Sequence, residues 1–423
     1  MIYTEDSYDR LLEELFERHP SVQNTGFRPG AYKPGLAGML ALDAALGHPS
    51  RQFRSIHVAG TNGKGSVCSM LAAALAGTGL RVGLYTSPHL VDFRERIKLI
   101  GPDGFSMIPR EEVFRFLTQT PLEGLSFFEI TTGMAFDWFA RQQVDLAVIE
   151  VGLGGRLDST NIITPELSIV TSIGLDHCAL LGDTRGAIAA EKAGIFKPGV
   201  PALCGERDDE TAPVFEARAS VVPCPLFFAE DFETESFETD LTGPCQEANL
   251  RTVLAALQLL GTTPEIKVFR GPRFSSAQYK AAIAATAART GLRGRWERLR
   301  ERPEVICDIG HNPAALAHNF RRLEQSGRPL LIVFGIMADK DLAAIRPLMP
   351  RRARWFLVAP RGERALGVEK LAEAMQGLDC TLCGDVREGV RQALDATFFS
   401  PDCILYIGGS NFVVAEAIGL FDP

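Results

Sequence analysis

A chain of 423 residues is too long for one ordinary hydrophobic core and suits two domains of unequal size. Its 46% hydrophobic and 23% charged residues match a soluble globular mixture, while the net charge of −8 excludes a general attraction to nucleic acid or to an anionic membrane, so an anionic substrate must be held by local cations, backbone N–H groups or metal. No apolar run approaches the roughly 18 residues of a membrane span, and the polar, acidic start at Met1 to Arg10 does not read as a secretory signal.

Short β-rich runs alternate with amphipathic stretches, the pattern of an α/β protein with mostly parallel sheets. Ser55 to Ala59 reads as a strand, followed by a glycine-rich turn and an apolar helix from Val67 to about Ala76. Strands are expected at Arg81 to Tyr85, Val144 to Val151 and Leu167 to Ser172, with helices over Phe127 to Phe139 and Arg185 to Ala193. The second of these helices should stop before Gly194 as a C-cap. The mixed stretch Glu206 to Gly243 reads as hairpins and loops, and Gln246 to Leu260 as a helix. Phe269 to Gly294 is basic and alanine-rich.

A boundary is expected between Gly291 and Arg302: an ATP-binding domain over 1–292, a linker over 293–302, and a smaller Rossmann-like domain over 303–423. Strands are expected there at Glu304 to Asp308, Leu330 to Phe334, Arg354 to Ala359 and Ile404 to Ile407. No G-x-G-x-x-G turn accompanies them, so nothing points to a dinucleotide. Nine cysteines scattered from Cys68 to Cys403 without a framework fit a reducing cytoplasm. The lone Cys380-x-x-Cys383 has no second pair beside it and reads as ordinary thiols.

The strongest local signal runs from His57 to Ser66, with Gly60, Thr61, Asn62, Gly63, Lys64, Gly65 and Ser66 at its centre. It follows a strand and opens a helix, the setting of a phosphate cradle. Its glycines let backbone N–H groups turn toward an anion. Lys64 can reach the β- and γ-phosphates, and the Ser66 hydroxyl can ligate Mg²⁺. The spacing departs from G-x-x-x-x-G-K-[ST], because two residues separate Gly60 from Gly63 and Gly65 intervenes before the serine. Glu150 ends the apolar run VDLAVIE, at the strand end where ligands collect in an open sheet, and is placed to hold Mg²⁺.

Together with this turn, Thr86-Ser-Pro-His-Leu90, Glu95-Arg96-Ile97, the run Glu150 to Asp158, Leu175-Asp176-His177 and Glu191-Lys192 resemble the folylpolyglutamate synthase and dihydrofolate synthase family of Mur-type amide ligases. The resemblance returns at Asp308-Ile-Gly-His-Asn-Pro313 and Asp339-Lys-Asp341, so it covers nearly the whole chain. It implies an ATP-dependent ligase that adds L-glutamate to dihydropteroate or folates through an acyl phosphate; a monomer is expected, in the cytoplasm that the cysteines suggest. It also implies His177 and Ser87 as metal-side ligands beside Glu150, two Mg²⁺ ions, and Lys192 as a lysine that can carry a carbamate. Asn249 and Arg295 would contact the nucleotide, as would Asp308 and His311 on substrate binding. Here Asp-Ile-Gly-His replaces the family's Asp-Gly-Ala-His. The pterin end would be lined by Tyr32, Lys33, Pro88, His89, Phe127, Phe128, Arg156 and Asp158. One of the two adjacent phenylalanines is expected to be plain helix core.

Three rival readings are weighed against this one. A cell-wall ligase of the same group needs a nucleotide-sugar domain ahead of the phosphate loop, and 59 residues precede Gly60. A P-loop switch would hydrolyse ATP without glutamate. A binding-only paralogue with a dead site is opposed by the presence of Lys64, Glu150, His177 and Lys192.

Overall fold

The computed structural model describes residues 3–21, 26, 33–262, 276–398, 400 and 402–422. Tyr32 and the start of the alanine-rich stretch at Phe269 lie outside the described residues. The chain divides into two compact units, Met1–Asp240 with Glu247–Leu292, and Leu241–Gln246 with Arg293–Pro423.

The first unit is built on an eight-stranded sheet in the order β4-β3-β2-β5-β1-β6-β7-β8. The strands are β1 (Ser55–Ala59), β2 (Val82–Tyr85), β3 (Ile97–Gly101), β4 (Gly104–Met107), β5 (Leu146–Glu150), β6 (Leu167–Val170), β7 (Ala202–Cys204) and β8 (Leu226–Phe228). The six from β2 to β8 in that order run parallel, and β3 and β4 add an antiparallel edge. In β1, β5 and β6 every residue is buried, as strands covered by helices on both faces must be. The helix Lys64–Gly77 is almost wholly buried, its alanines allowing close approach to the sheet. Register places Val58 beside Glu150 and Ala59 beside Val170, so three neighbouring strands end together. That shared end carries the site.

Several local expectations change. The Arg185–Lys192 helix ends one residue earlier than predicted, and Gly194 continues into a tight Ala193–Ile195 turn. Gly194 is needed for space: a Cβ there would lie 2.5 Å from the Arg156 Cα. The region expected to form hairpins instead holds a helix, Ala212–Val221, and β8 parallel to β7, extending the sheet by one more crossover. Its mixed composition hid a strand of only three residues. The N-terminal helix Glu5–Arg18 also went unread; a reciprocal cap between Thr4 and Ser7 starts it.

The second unit has a six-stranded sheet in the order β13-β12-β11-β14-β10-β9. It comprises β9 (Glu297–Arg300), β10 (Glu304–Asp308), β11 (Leu330–Phe334), β12 (Arg354–Leu357), β13 (Asp379–Leu382) and β14 (Ile404–Gly408). All its pairings are parallel except β9 on β10. The stretch 293–302 therefore supplies an edge strand where a bare linker was expected. Its core gathers Trp355, Phe320, Phe334 and Tyr406. Cys380 lies on β13 and Cys383 just beyond it, and both are free thiols.

Candidate active site

The phosphate turn leaves β1 at Gly60, whose φ of 151° and lack of a side chain are both required: a Cβ would sit 1.8 Å from the Thr171 Oγ1. Neighbouring loops pin the turn from outside. Thr171 Oγ1 donates to the Asn62 carbonyl at 2.6 Å and Ser172 Oγ to the same oxygen at 3.2 Å. The Thr61 N–H donates to Ser172 O at 2.7 Å, and Thr61 Oγ1 to Gly174 O at 3.1 Å. Gly63, at φ 86°, is the N-cap of the Lys64–Gly77 helix and brings no side-chain oxygen to its first N–H groups, which suits an incoming phosphate. Lys64 folds back on the turn, donating to Gly60 O at 3.0 Å and Thr61 O at 3.2 Å. Ser66 is buried one turn into the helix.

Beside the turn, the Glu150 carboxylate is buried at the end of β5 and accepts from the Ser87 N–H at 2.9 Å. That bond joins two of the expected metal-side residues. Lys192 is buried and donates to Gly60 O at 2.8 Å, so two lysines meet at one carbonyl. Burial, with the Lys64 charge second, holds the Lys192 ammonium at a pKa of about 7. His177 adopts a left-handed backbone at φ 52° after β6 and faces Asp176 at 3.8 Å. Among the described residues no three His, Cys, Asp or Glu side chains form a closed metal cage. Hydroxyl and carboxylate donors at a phosphate turn nevertheless fit Mg²⁺, which binds one or two carboxylates and completes its shell with phosphate oxygens and water.

The expected pterin residues separate into two groups. Phe127 is core, stacked on Phe16 at 5.4 Å and overlain by the Arg96 guanidinium at 5.1 Å. Phe128 instead lies against the glycine loop after Glu150: a Cβ on Gly152 would fall 2.5 Å from its ring. His89 is held neutral, pushed well below the usual histidine range by burial and then by Arg96, whose Nε donates to Nδ1 at 2.8 Å. Pro88 follows Ser87 across a cis bond. Asp158 is buried and spends its carboxylate on the loop itself, accepting from the Leu153 N–H at 2.9 Å and the Thr160 N–H at 3.0 Å. Burial raises its pKa despite those donors. Arg156 is half exposed and paired with Glu191 at 2.8 Å. Lys33 is exposed and donates to Gly124 O.

Thr171 and Arg96 matter more than the sequence suggested. A hydroxyl pair directly after β6 was the available signal for the first, since β6 neighbours β1. Asn249 belongs to the first unit and touches the turn directly, its Oδ1 lying 2.3 Å from where a Cβ on Gly63 would be. In the second unit, Asp308 ends β10 and accepts from the N–H groups of Trp296 at 2.9 Å and Gly310 at 2.8 Å, and from Asn319 Nδ2 at 2.7 Å. His311 Nδ1 lies 3.0 Å from Ile309 O, and Asn312 caps the Pro313–Gln325 helix. Arg295 is half buried, with Nη1 3.5 Å from Arg293 O.

Residues 58–242 match the Mur ligase middle domain, and residues 294–410 the Mur ligase glutamate ligase domain. The dihydrofolate synthase/folylpolyglutamate synthase of Haemophilus influenzae is 33% identical over 393 residues, covering 85% of this chain and 87% of that one. Escherichia coli FolC in complex with DHPP and ADP superposes with a TM-score of 0.82 at 28% identity, over 98% of this chain and 97% of that chain. The bifunctional synthase of Yersinia pestis complexed with AMPPNP and Mn ion gives 0.81 at 28% identity over the same shares, 98% and 97%.

Proposed function

Because the chain belongs to the folylpolyglutamate synthase/dihydrofolate synthase family of the Mur ligases, we propose that it joins L-glutamate to the carboxylate of dihydropteroate and of reduced folates at the expense of ATP. It is an ATP-dependent ligase. The observation that carries the site assignment is the meeting of Lys64 and buried Lys192 at the carbonyl of Gly60, in a phosphate turn that opens a helix. The relatives' complexes with ADP, AMPPNP, Mn ion and DHPP support a nucleotide, a divalent metal and a pterin as the ligands.

A carboxylate is a poor electrophile, so it must first be activated. Transfer of the γ-phosphoryl of ATP forms a C–O–P bond and releases ADP, giving a mixed anhydride. The unprotonated amine of glutamate then attacks the acyl carbon, the C–N bond forms, and phosphate leaves. The backbone N–H groups of residues 61–66 and the ammonium of Lys64 hold the phosphates and offset the charge that spreads over the transferring group. Ser66, Ser87, Glu150 and His177 would hold Mg²⁺, two ions in our reading, and the metal would add charge neutralisation at the phosphates.

Lys192 takes a second role in this reading. Its pKa of about 7 leaves a large neutral fraction at neutral pH, and a neutral amine adds CO₂ to give a carbamate and a proton. The anionic carbamate would replace a cation by an oxygen donor suited to a second Mg²⁺. Phe128, His89, Pro88 and the Gly152–Gly155 loop receive the pterin, with Lys33, Arg156 and Asp158 at its margins. Asn249 contacts adenine, and Arg295, Asp308 and His311 of the second unit contact the nucleotide. Nine free thiols support a cytoplasmic setting, and we place the enzyme there as a monomer.

The test is direct. Purified protein, Mg-ATP and labelled glutamate are mixed with each pterin and the product is identified by mass. Ligation products are expected with both pterin classes, whereas ATP hydrolysis without glutamate incorporation would favour a switch ATPase. Lys64→Ala should lower turnover by about 100- to 1000-fold, the scale of losing one pre-placed donor to a transferring charge. Full ligation by that variant would overturn the assignment.

A further inference from the structure

The chain leaves the first unit after Asp240, re-enters at Glu247 and leaves again after Leu292. Both departures are tied to one short helix, Thr286–Thr290. The Asp240 N–H donates to Ala284 O at 2.8 Å, just ahead of that helix, and its Oδ2 accepts from the Ala288 N–H at 3.1 Å. At the other end Lys98 of β3 donates to Thr290 O at 2.9 Å and Gly291 O at 3.1 Å.

The socket for this helix is the antiparallel edge of the first sheet. Lys98 is only 5% exposed, and its ammonium lies 5.2 Å from the ring centre of Phe105 on β4. The same ring packs on Gly291, which has φ 63° and whose added Cβ would meet it at 2.3 Å. Arg289 Nη2 donates to Pro102 O at 2.6 Å, in the turn joining β3 to β4. The preceding helix, Ser276–Ala284, rests on the phosphate-turn helix so closely that a Cβ on Gly77 would be 2.6 Å from the Ala282 Cβ. A lysine capping a helix C-terminus is ordinary when its head is in water. Burying the ammonium costs desolvation, which here two carbonyls and an aromatic face offset, and those three contacts fix its position.

We propose that Lys98 is a positioning residue for the ligation: it locks the Thr286–Gly291 segment onto the first sheet and so holds the point at which the chain leaves the first unit. The proposal rests on the ligase reading above and on Arg295 as a nucleotide contact.

The test uses the full chain carrying Lys98→Met, Lys98→Arg or Gly291→Ala. Lys98→Met should lower kcat about 10-fold, in the range expected when reacting groups are misplaced by less than an ångström, with KM for the pterin unchanged. Amide exchange should accelerate over 286–292 while the 64–77 helix keeps its protection. Lys98→Arg, which retains N–H donors, should recover most of kcat. Gly291→Ala displaces the Phe105 ring without changing charge and should give the same split, which keeps the test decisive if Lys98→Met does not fold. A Lys98→Met enzyme with the parent kcat overturns the positioning role alone, as does one that loses protection across 64–77 in step with its activity. Absence of any glutamate-dependent product from the unmodified protein would sink the ligase reading instead, and the positioning role with it.

Discussion

The buried ammonium of Lys192 donates a 2.8 Å hydrogen bond to the carbonyl of Gly60, so the base of the phosphate turn is closed by a lysine from a distant helix. Its pKa of about 7 lies far below the ordinary 10.5, chiefly through burial. Below pH 7 the lysine is charged in both folded and unfolded chains, and its burial cost is fully present. Between the two pKa values the unfolded chain binds a proton that the folded one does not, so stability rises with pH.

The same titration would govern formation of the proposed carbamate, which needs the neutral amine. Ligation should therefore climb between about pH 6 and about pH 8, fall when dissolved CO₂ is stripped, and recover with bicarbonate. Lys192→Met should lose about 100-fold or more in turnover without a fall in thermal midpoint at neutral pH, because a costly buried charge is removed along with the function. A rate indifferent to CO₂ across that range would reject the modification.

A second prediction concerns Gly63 and Asn249. Alanine at Gly63 must adopt φ 86° and bring its Cβ to 2.3 Å from the Asn249 Oδ1. The left-handed backbone alone costs about 1–2 kcal/mol with a side chain. Calorimetric titration with Mg-ATP should show weaker binding for Gly63→Ala. Adding Asn249→Ala relieves the clash but not the backbone strain, and it also removes the proposed adenine contact, so the rescue is read in the thermal midpoint without nucleotide, where the double variant should recover only part of the loss relative to Asn249→Ala alone. Full recovery would mean that the φ requirement is unimportant, and no recovery that the clash is.

Much of the scaffold could be read from the chain because its strands are short, apolar and bounded by glycines. The runs SIHVA, LAVIE and LLIVF each become a fully buried strand. The phosphate turn was equally plain, since strand, glycines, lysine and hydroxyl stand together. Less legible were interactions whose partners are far apart in sequence. Nothing local ties Thr171 to Asn62, and even the seven-residue Arg96–His89 bond is set by no helix or strand period, although both pairs shape the site. Asp158, which the family resemblance puts at the pterin end, gives its carboxylate to loop N–H groups, as a turn-forming aspartate does, a contact that no local pattern announces. The strand β9 is charged at three of its four positions and β13 alternates polar with apolar residues, so neither gave an apolar run to detect.

The adjacent phenylalanines should separate experimentally. Phe128 packs on Gly152 in the loop after Glu150, whereas Phe127 is 2% exposed in the helix core. Phe128→Ala should raise KM for the pterin with little change in thermal midpoint or in ATP affinity. Phe127→Ala should cost about 3–5 kcal/mol of stability by emptying a packed aromatic site, seen as a lowered unfolding midpoint. Equal effects of the two substitutions on pterin KM would contradict the division.

Arg96 and His89 make the last case. Arg96 Nε donates to His89 Nδ1 at 2.8 Å, which leaves the ring proton on Nε2 and that atom as a donor. Burial first, and the guanidinium second, keep the imidazole neutral, so its folded pKa lies well below 6.5. As pH falls through 6.5 the unfolded chain gains a proton at this position that the folded one refuses, and the native state loses stability. Replacing Arg96 by Gln removes a positive neighbour and should move the His89 pKa upward, reducing that loss in acid. Proton NMR of the ring Cε1–H should show His89 without a titration step down to about pH 5.5 in the parent, and a step toward the ordinary range in Arg96→Gln. Pterin KM should gain a pH dependence in the variant that the parent lacks. A parent His89 that titrates at the ordinary histidine pKa would refute both the neutral ring and its assigned tautomer.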